Sequence, residues 1–182
     1  MNTTDNDKLT KGSILKLFVF LLGIVILIAL DQFTKYIVVE NLKGDRSYDF
    51  IHNILSFEYL ENTGVAFGFL PGKQIIINII SITMTMGLIL FIVRLENIKE
   101  NHVSKYTFIQ ILCCFVVAGA IGNTIDRLKN KYVIDFIKTD FIDFPIFNIA
   151  DIYVTVAVGI LLIVMMFFVK DEEFSAIFKK GN

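Results

Sequence analysis

Long apolar runs separated by short polar segments dominate this chain. Ile14–Leu30 carries one charge, Lys16, near its start, and the apolar pattern continues through Val39 if Asp31 and Lys35 are admitted. Ile75–Val93, Tyr106–Ile125 and Ile152–Val169 carry no charge at all. At ~1.5 Å of rise per residue, each run crosses a hydrocarbon core of about 30 Å as a helix. Backbone groups within lipid can bond only to one another, so helices are the expected form. The pattern predicts helices at about 14–39, 75–93, 106–128 and 149–169, in a single integral membrane domain covering 1–182.

The polar segment at about 41–74 has turn signals at Lys43-Gly44-Asp45 and Pro71-Gly72. Within it, Phe50–Leu60 is rich in β-branched and aromatic residues, which predicts a small extramembrane sheet. Residues 94–105 and 129–147 form the other connections, and residues 1–12 and 171–182 read as polar tails. The first run has the basic start of a signal peptide, with Lys8, Lys11 and Lys16. It outlasts the usual apolar core, however, and meets Asp31-Gln-Phe-Thr-Lys35 where a small-residue cleavage site would stand. It is expected to remain as an anchor helix. The fold class is therefore an all-α membrane protein: a four-transmembrane-helix bundle with a small β-rich insertion between helices 1 and 2.

Composition agrees with lipid as the solvent. Hydrophobic residues make up 55% of the chain and charged residues 19%, against roughly a quarter charged in soluble domains. A net charge of -1 argues against a general nucleic-acid binder, and no nucleic-acid partner is expected. Cys113 and Cys114 are adjacent within an apolar run, where disulfide geometry is rarely met, and read as small buried residues. His52 and His102 lie far apart and no HExxH or CxxC spacing occurs, so neither a metal nor a cofactor is expected.

The unusual polar residues share one side of the membrane. Asp31 and Lys35 lie towards the end of helix 1, and Asn62, Thr63 and Gly64 in the loop after it. Asn123, Asp126 and Arg127 lie at the end of helix 3, Asp135 in the next loop, and Asn148 and Asp151 at the start of helix 4. Ends of odd helices and starts of even ones meet the same membrane face. Asp31 and Lys35 stand at i,i+4, the spacing of an ion pair on one helical face. Ionisable groups near lipid normally face a bundle interior or a wet cavity. Any one of them alone is equally well read as a helix-end residue reaching for the headgroups. Their convergence is what points to a site, and the opposite side shows no comparable set.

Four blocks resemble those of bacterial lipoprotein signal peptidases. They are Asp31-Gln-Phe-Thr-Lys35; Glu61-Asn62-Thr-Gly64-Val-Ala-Phe67-Gly68; Ala118-Gly119-Ala-Ile-Gly122-Asn123-Thr-Ile-Asp126-Arg127-Leu with Val133-Ile-Asp135-Phe136; and Phe147-Asn148-Ile-Ala150-Asp151. Their order and their placement against the helices also match, over roughly residues 15–170. Ala118 and Val65 depart modestly in size from the family pattern, and the stretch from Asp135 to Asp151 is slightly short. The resemblance implies an aspartic endopeptidase that removes the signal peptide from diacylglyceryl-modified prolipoproteins, cutting before the lipidated cysteine. It implies Asp135 and Asp151 as the catalytic pair, with Asn62, Gly64, Asn123, Asp126, Arg127 and Asn148 supporting substrate or pair. Asp31 and Lys35 would serve a structural or gating role. It further implies membrane lipid as a partner, inhibition by globomycin-type compounds, and action as a monomer.

Amide hydrolysis needs a base for water and an acid for the departing amine. Two carboxylates sharing one proton supply both, because like charges close together cannot both ionise cheaply. Such a pair titrates as a unit, so which member holds the proton stays open. Asp126 is the rival for the second position, but Arg127 beside it would hold it ionised, which is poor for an acid. Asp140 and Asp143 are read as solvated. Ser81 has no nearby His, and the cysteines fall mid-helix without one, so packing explains them better than catalysis. Asn78 is expected to make an interhelical hydrogen bond.

Charge does not orient the chain. The side with both tails carries nine Lys and Arg residues against eight on the other. The resemblance alone implies a multi-pass protein of the bacterial cytoplasmic (inner) membrane, both termini cytoplasmic, with the insertion extracytoplasmic and the site near the outer face. Two other readings compete. An ion- or proton-coupled transporter predicts polar groups at intermediate depth, where helices 2 and 4 offer little beyond Asn78 and Thr155. A non-enzymatic lipid-binding scaffold would tolerate Asp-to-Asn changes that kill an enzyme.

Overall fold

The computed structural model describes residues 10–44, 46–64, 73–96 and 103–170. The sequence readings at Lys8, Asp45, Val65, Phe67, Gly68, Pro71, Gly72 and His102, and most of both polar tails, fall outside these residues. Four helices, α1 (Lys11–Leu42), α2 (Gln74–Glu96), α3 (Val103–Asn130) and α4 (Ile149–Phe167), are each long and apolar enough to cross a membrane. Between α1 and α2 lie β1 (Ser47–Ile51) and β2 (Leu55–Asn62), and between α3 and α4 lies β3 (Val133–Thr139). The fold class read from the sequence is the one observed. The insertion's hairpin gains a third strand from the α3–α4 connection, so the two polar excursions form one sheet.

Helix α1 shows why lipid must surround the bundle. Leu15, Phe18, Leu22, Val25 and Ile26 are exposed, whereas the residues it buries include Asp31 and Lys35. That inverts the pattern of a water-soluble helix. Helix α3 is the hub, packed against α1, α2 and α4. Its small residues permit this. A Cβ on Gly119 would lie 2.5 Å from the Ala150 carbonyl oxygen, and one on Gly122 would lie 2.5 Å from Asp31 Oδ2.

The sheet is antiparallel with order β1-β2-β3. In the β2–β3 ladder Leu60 pairs with Asp135 and Asn62 with Val133. Lys131, at φ 71°, turns the chain from α3 into β3. On the far edge of β3, Phe147 N donates to Ile137 O at 3.1 Å and Ile137 N donates back at 2.8 Å, which holds the start of α4 against the strand.

Two hydrophobic clusters bracket the polar residues. One fills the bundle with Ile24, Ile92, Leu95, Ile109, Cys113, Cys114, Val117 and Val164. The other packs Val38 on α1 against Ile134, Phe136 and Ile137 of the sheet. Along α1, Asp31 and Lys35 fall between Ile24 and Val38. Both cysteines are buried and free. Asn78 departs from its reading: its Oδ1 has no hydrogen-bond partner among the described residues. Ties between α2 and α3 come instead from Ser81 Oγ with Thr124 Oγ1, at 2.9 Å, and from Gln110 Nε2, which donates to Ile92 O at 2.8 Å.

Candidate active site

Helix α4 begins with a cap that also positions two carboxylates. Asn148 is the N-cap, and its Oδ1 accepts from Asp151 N at 3.0 Å. Asp151 returns the bond, accepting from Asn148 N through Oδ2 at 3.1 Å. This reciprocal pair satisfies donors that a helix start otherwise leaves open. The remaining end of the Asn148 side chain, Nδ2, donates to Asp135 Oδ1 at 2.6 Å and to Asn123 Oδ1 at 3.1 Å. One asparagine therefore bridges the strand carboxylate and the helix carboxylate.

The orientation of each amide follows from its partners. Gly64 N donates to Asn62 Oδ1 at 2.9 Å, so Asn62 turns Nδ2 towards Asp135 Oδ2, 2.7 Å away. Lys35 can only donate, so Asn123 offers it Oδ1 at 3.0 Å and turns Nδ2 to Asp151 Oδ1 at 2.8 Å. Each carboxylate thus has a donor on both oxygens. Burial, and next the neighbouring Asp151 carboxylate, push the Asp135 carboxyl up from its ordinary 3.8 to about 7.

Behind this pair lies a buried ionic cluster. Lys35 Nζ sits 2.9 Å from Asp31 Oδ2 and 2.9 Å from Asp126 Oδ2. Asp31 Oδ1 accepts from Ala150 N at 3.1 Å, and Asp126 Oδ2 from Ile134 N at 3.2 Å. These bonds join α1 to α4 and α3 to β3. The i,i+4 pairing of Asp31 with Lys35 agrees with the sequence spacing. The partner read for Asp126 does not: its ion pair is with Lys35 on α1, not with adjacent Arg127, because successive residues point to different faces of a helix. Arg127 instead donates from Nη2 to Gly64 O at 3.5 Å, and its buried Nε has no partner among the described residues.

A cavity of about 980 Å³ opens over the site. Asn62, Gly64, Asn123, Arg127, Asp135 and Asp151 line it, whereas Asp31, Lys35 and Asp126 do not. Along α3 its wall passes from Arg127 and Asn123 to Ala120 and Val116, a length of ~16 Å. Ile80, Met84 and Leu88 on α2 and Ile152 and Val156 on α4 make that stretch apolar.

Sequence reasoning passed over three features. Gln32, inside the first of the four blocks, carries no role legible in the sequence; its Nε2 donates to Asp126 Oδ1 at 3.0 Å and to Gly122 O at 3.3 Å. Asp140 is exposed, as read, and also accepts from Ser56 Oγ at 2.9 Å. At the opposite end of the bundle, Lys16 Nζ meets Glu96 Oε2 at 2.7 Å and Gln110 Nε2 meets the same oxygen at 3.2 Å. The opposite side thus carries a smaller polar set after all. Gln110 and Asn123 are ~20 Å apart along α3, with buried Cys113, Val117 and Ala118 between them.

Comparison with known proteins gives a consistent answer. A family model described as Signal peptidase (SPase) II matches residues 23–168. The chain is 36% identical over 166 residues to a lipoprotein signal peptidase of Enterococcus faecalis, covering 91% of this chain and 97% of that one. It is 36% identical over 155 residues to one of Streptococcus pyogenes serotype M1, covering 85% and 95%. Two solved structures, each described as a bacterial membrane enzyme determined by the in meso method, also match. The one at 2.3 Å resolution has a TM-score of 0.70 at 33% identity, over 90% of this chain and 94% of that one. The one at 1.9 Å has a TM-score of 0.68 at 35% identity, over 84% and 94%.

Proposed function

This chain belongs to the signal peptidase II family, and on that premise we propose that it is an aspartic endopeptidase working at the membrane surface, with Asp135 and Asp151 as its catalytic pair. Family membership makes it a peptidase of lipoprotein processing, and the four spans make it a multi-pass membrane protein. The substrates are prolipoproteins carrying a diacylglyceryl group on the cysteine that follows the cut.

One observation carries the aspartic reading. Asp135 and Asp151 come from different elements, line the same cavity, and both accept from Asn148, Asp135 from its side-chain Nδ2 and Asp151 from its backbone N. Two carboxylates so placed hold one proton between them. In the first step the ionised member takes a proton from water, whose oxygen adds to the scissile carbonyl carbon, while the protonated member donates to the carbonyl oxygen. The tetrahedral adduct then collapses: the C–N bond breaks, the proton taken from water passes to the departing amine, and the hydroxyl proton returns to the second carboxylate. The products are a signal-peptide carboxylate and a free amine on the modified cysteine.

The apolar stretch of the cavity, between α2 and α4 over α3, suits the apolar segment of a signal peptide and the acyl chains beside it. Arg127 and the Asn62–Gly64 turn stand at the polar end, where a peptide backbone needs partners. Because the modified cysteine belongs to an exported chain, the site end faces outward and both termini lie in the cytoplasm. The purified full chain, given a diacylglyceryl-modified prolipoprotein, is expected to release one peptide, with the modified cysteine as the new N-terminus and globomycin blocking the reaction. A cut elsewhere, or none, overturns the proposal.

A further inference from the structure

Lys35 lies outside the cavity wall, yet it is one side chain away from the reacting groups. Its Nζ is 3.0 Å from Asn123 Oδ1, and Asn123 Nδ2 is 2.8 Å from Asp151 Oδ1. The amide therefore presents its positive end to Asp151 with a buried cation behind it. Asp151 also accepts from the backbone N of Asn148 at 3.1 Å and stands in the first turn of α4, where the helix dipole favours negative charge. Asp135 accepts from the neutral amides of Asn62 and Asn148 and stands at no helix terminus, and Lys35 acts on it only through space, with no amide polarised between them. The two carboxylates are unequal hosts for an anion.

We propose that Lys35 is a positioning residue that, through Asn123, holds Asp151 as the ionised member of the pair and leaves the shared proton on Asp135. This rests on the catalytic pair argued above and assigns its two roles: Asp151 takes the proton from water, and Asp135 donates to the carbonyl oxygen.

The other charged groups around the pair do not undo the asymmetry. Asp31 on α1 opposes the charge on Asp151, but both it and Asp126 on α3 engage Lys35 at 2.9 Å. Arg127 on α3 acts on both Asp135 and Asp151, so it favours neither by contact. On β2, Glu61 reaches the cavity wall, and the α2 residues of that wall carry no charge.

Removing Lys35 alone would strand both Asp31 and Asp126, so the deciding variant is Asp31→Asn/Lys35→Met, which replaces one ion pair by neutral groups, leaves the net charge unchanged, and leaves only Asp126 without its lysine, still held by Gln32 Nε2 and Ile134 N. The measurement is the pH profile of kcat/KM for the purified full chain in lipid, on a diacylglyceryl-modified prolipoprotein. The acid limb, which reports ionisation of the first carboxylate, is expected to move to higher pH by about one unit or more. Lys35→Arg, which keeps the cation, is expected to hold that limb near its original position. A lowered rate with an unmoved profile in the double variant overturns the proposal, since a purely structural role does that.

If the double variant fails to fold, infrared difference spectra of two single variants at pH 5.5 decide the matter. The band of a protonated carboxyl is expected to vanish in Asp135→Asn and persist in Asp151→Asn, and the reverse overturns the proposal. Full cleavage by either of those variants would instead reject the catalytic pair itself, so the two failures are distinguishable.

Discussion

Asn148 donates an amide hydrogen to Asp135 Oδ1 at 2.6 Å while the other end of the same side chain caps helix α4. Capping and carboxylate positioning are thus carried by different atoms of one residue, and substitution can separate them. Asn148→Ser keeps a cap oxygen but loses the donor to Asp135, whereas Asn148→Ala loses both. Both are expected to lower kcat at least about tenfold, through the lost hydrogen bond that positions Asp135. Serine is expected to remain about 1 kcal/mol more stable than alanine in thermal unfolding. Equal stabilities would show that the cap contributes nothing to the fold.

The glycines of α3 make a second, internally controlled case. A methyl group on Gly122 would press on Asp31 Oδ2, and one on Gly119 on Ala150 O and Val154 Cγ2. Gly122→Ala and Gly119→Ala are each expected to cost about 1–3 kcal/mol. Gly23, Gly87 and Gly159 have nothing within 4 Å of an added Cβ, so alanine there is expected to be neutral or stabilising, by up to about 1 kcal/mol. Melting temperatures of the five variants in one detergent test this ordering.

These cases mark what the sequence could and could not disclose. The four helices were legible because lipid demands long apolar runs, and the convergence of polar residues because helices alternate direction. The spacing of Asp31 and Lys35 even disclosed their contact, since i,i+4 is a local relation. What depended on distant packing was not legible. Lys35 on α1 meets Asp126 and Asn123 on α3, Gln32 reaches Gly122 O, and β3 joins a strand about seventy to eighty-five residues earlier in the chain, and no local period encodes those encounters. Glu96 and Gln110 went unnoticed because each sits singly at the margin or inside of an apolar run, meeting Lys16 only in the folded bundle.

The raised Asp135 carboxyl gives a pH dependence with a definite sign. Its folded value of about 7 exceeds the ordinary 3.8, so between those values the folded state binds more protons than the unfolded one. Stability from this group is therefore full below about pH 4, declines as pH rises towards 7, and is constant beyond, a total change of at most about 4 kcal/mol. Asp135→Asn is expected to melt above the unmodified protein at pH 8, with the difference gone by pH 4. An equal difference at both pH values would show that the carboxyl is not raised. In activity, kcat/KM of the unmodified protein is expected to fall as the pair loses its last proton, near pH 7 and above.

Asp126 offers a contrast within the same layer. It binds Lys35, Gln32 and Ile134 N behind the cavity rather than in its wall. Asp126→Asn is expected to lower thermal stability by about 1–3 kcal/mol through the weakened buried pair, yet to retain measurable cleavage. Loss of all turnover in a folded Asp126→Asn protein would restore it as a candidate for the chemistry.

The most direct measurement compares cleavage of one diacylglyceryl-modified prolipoprotein by the unmodified protein, Asp135→Asn and Asp151→Asn, each shown to be folded by thermal unfolding. With Asp135 and Asp151 as acid and base, each single change is expected to reduce turnover by at least about 10²-fold. Near-normal turnover by either folded variant would contradict the account.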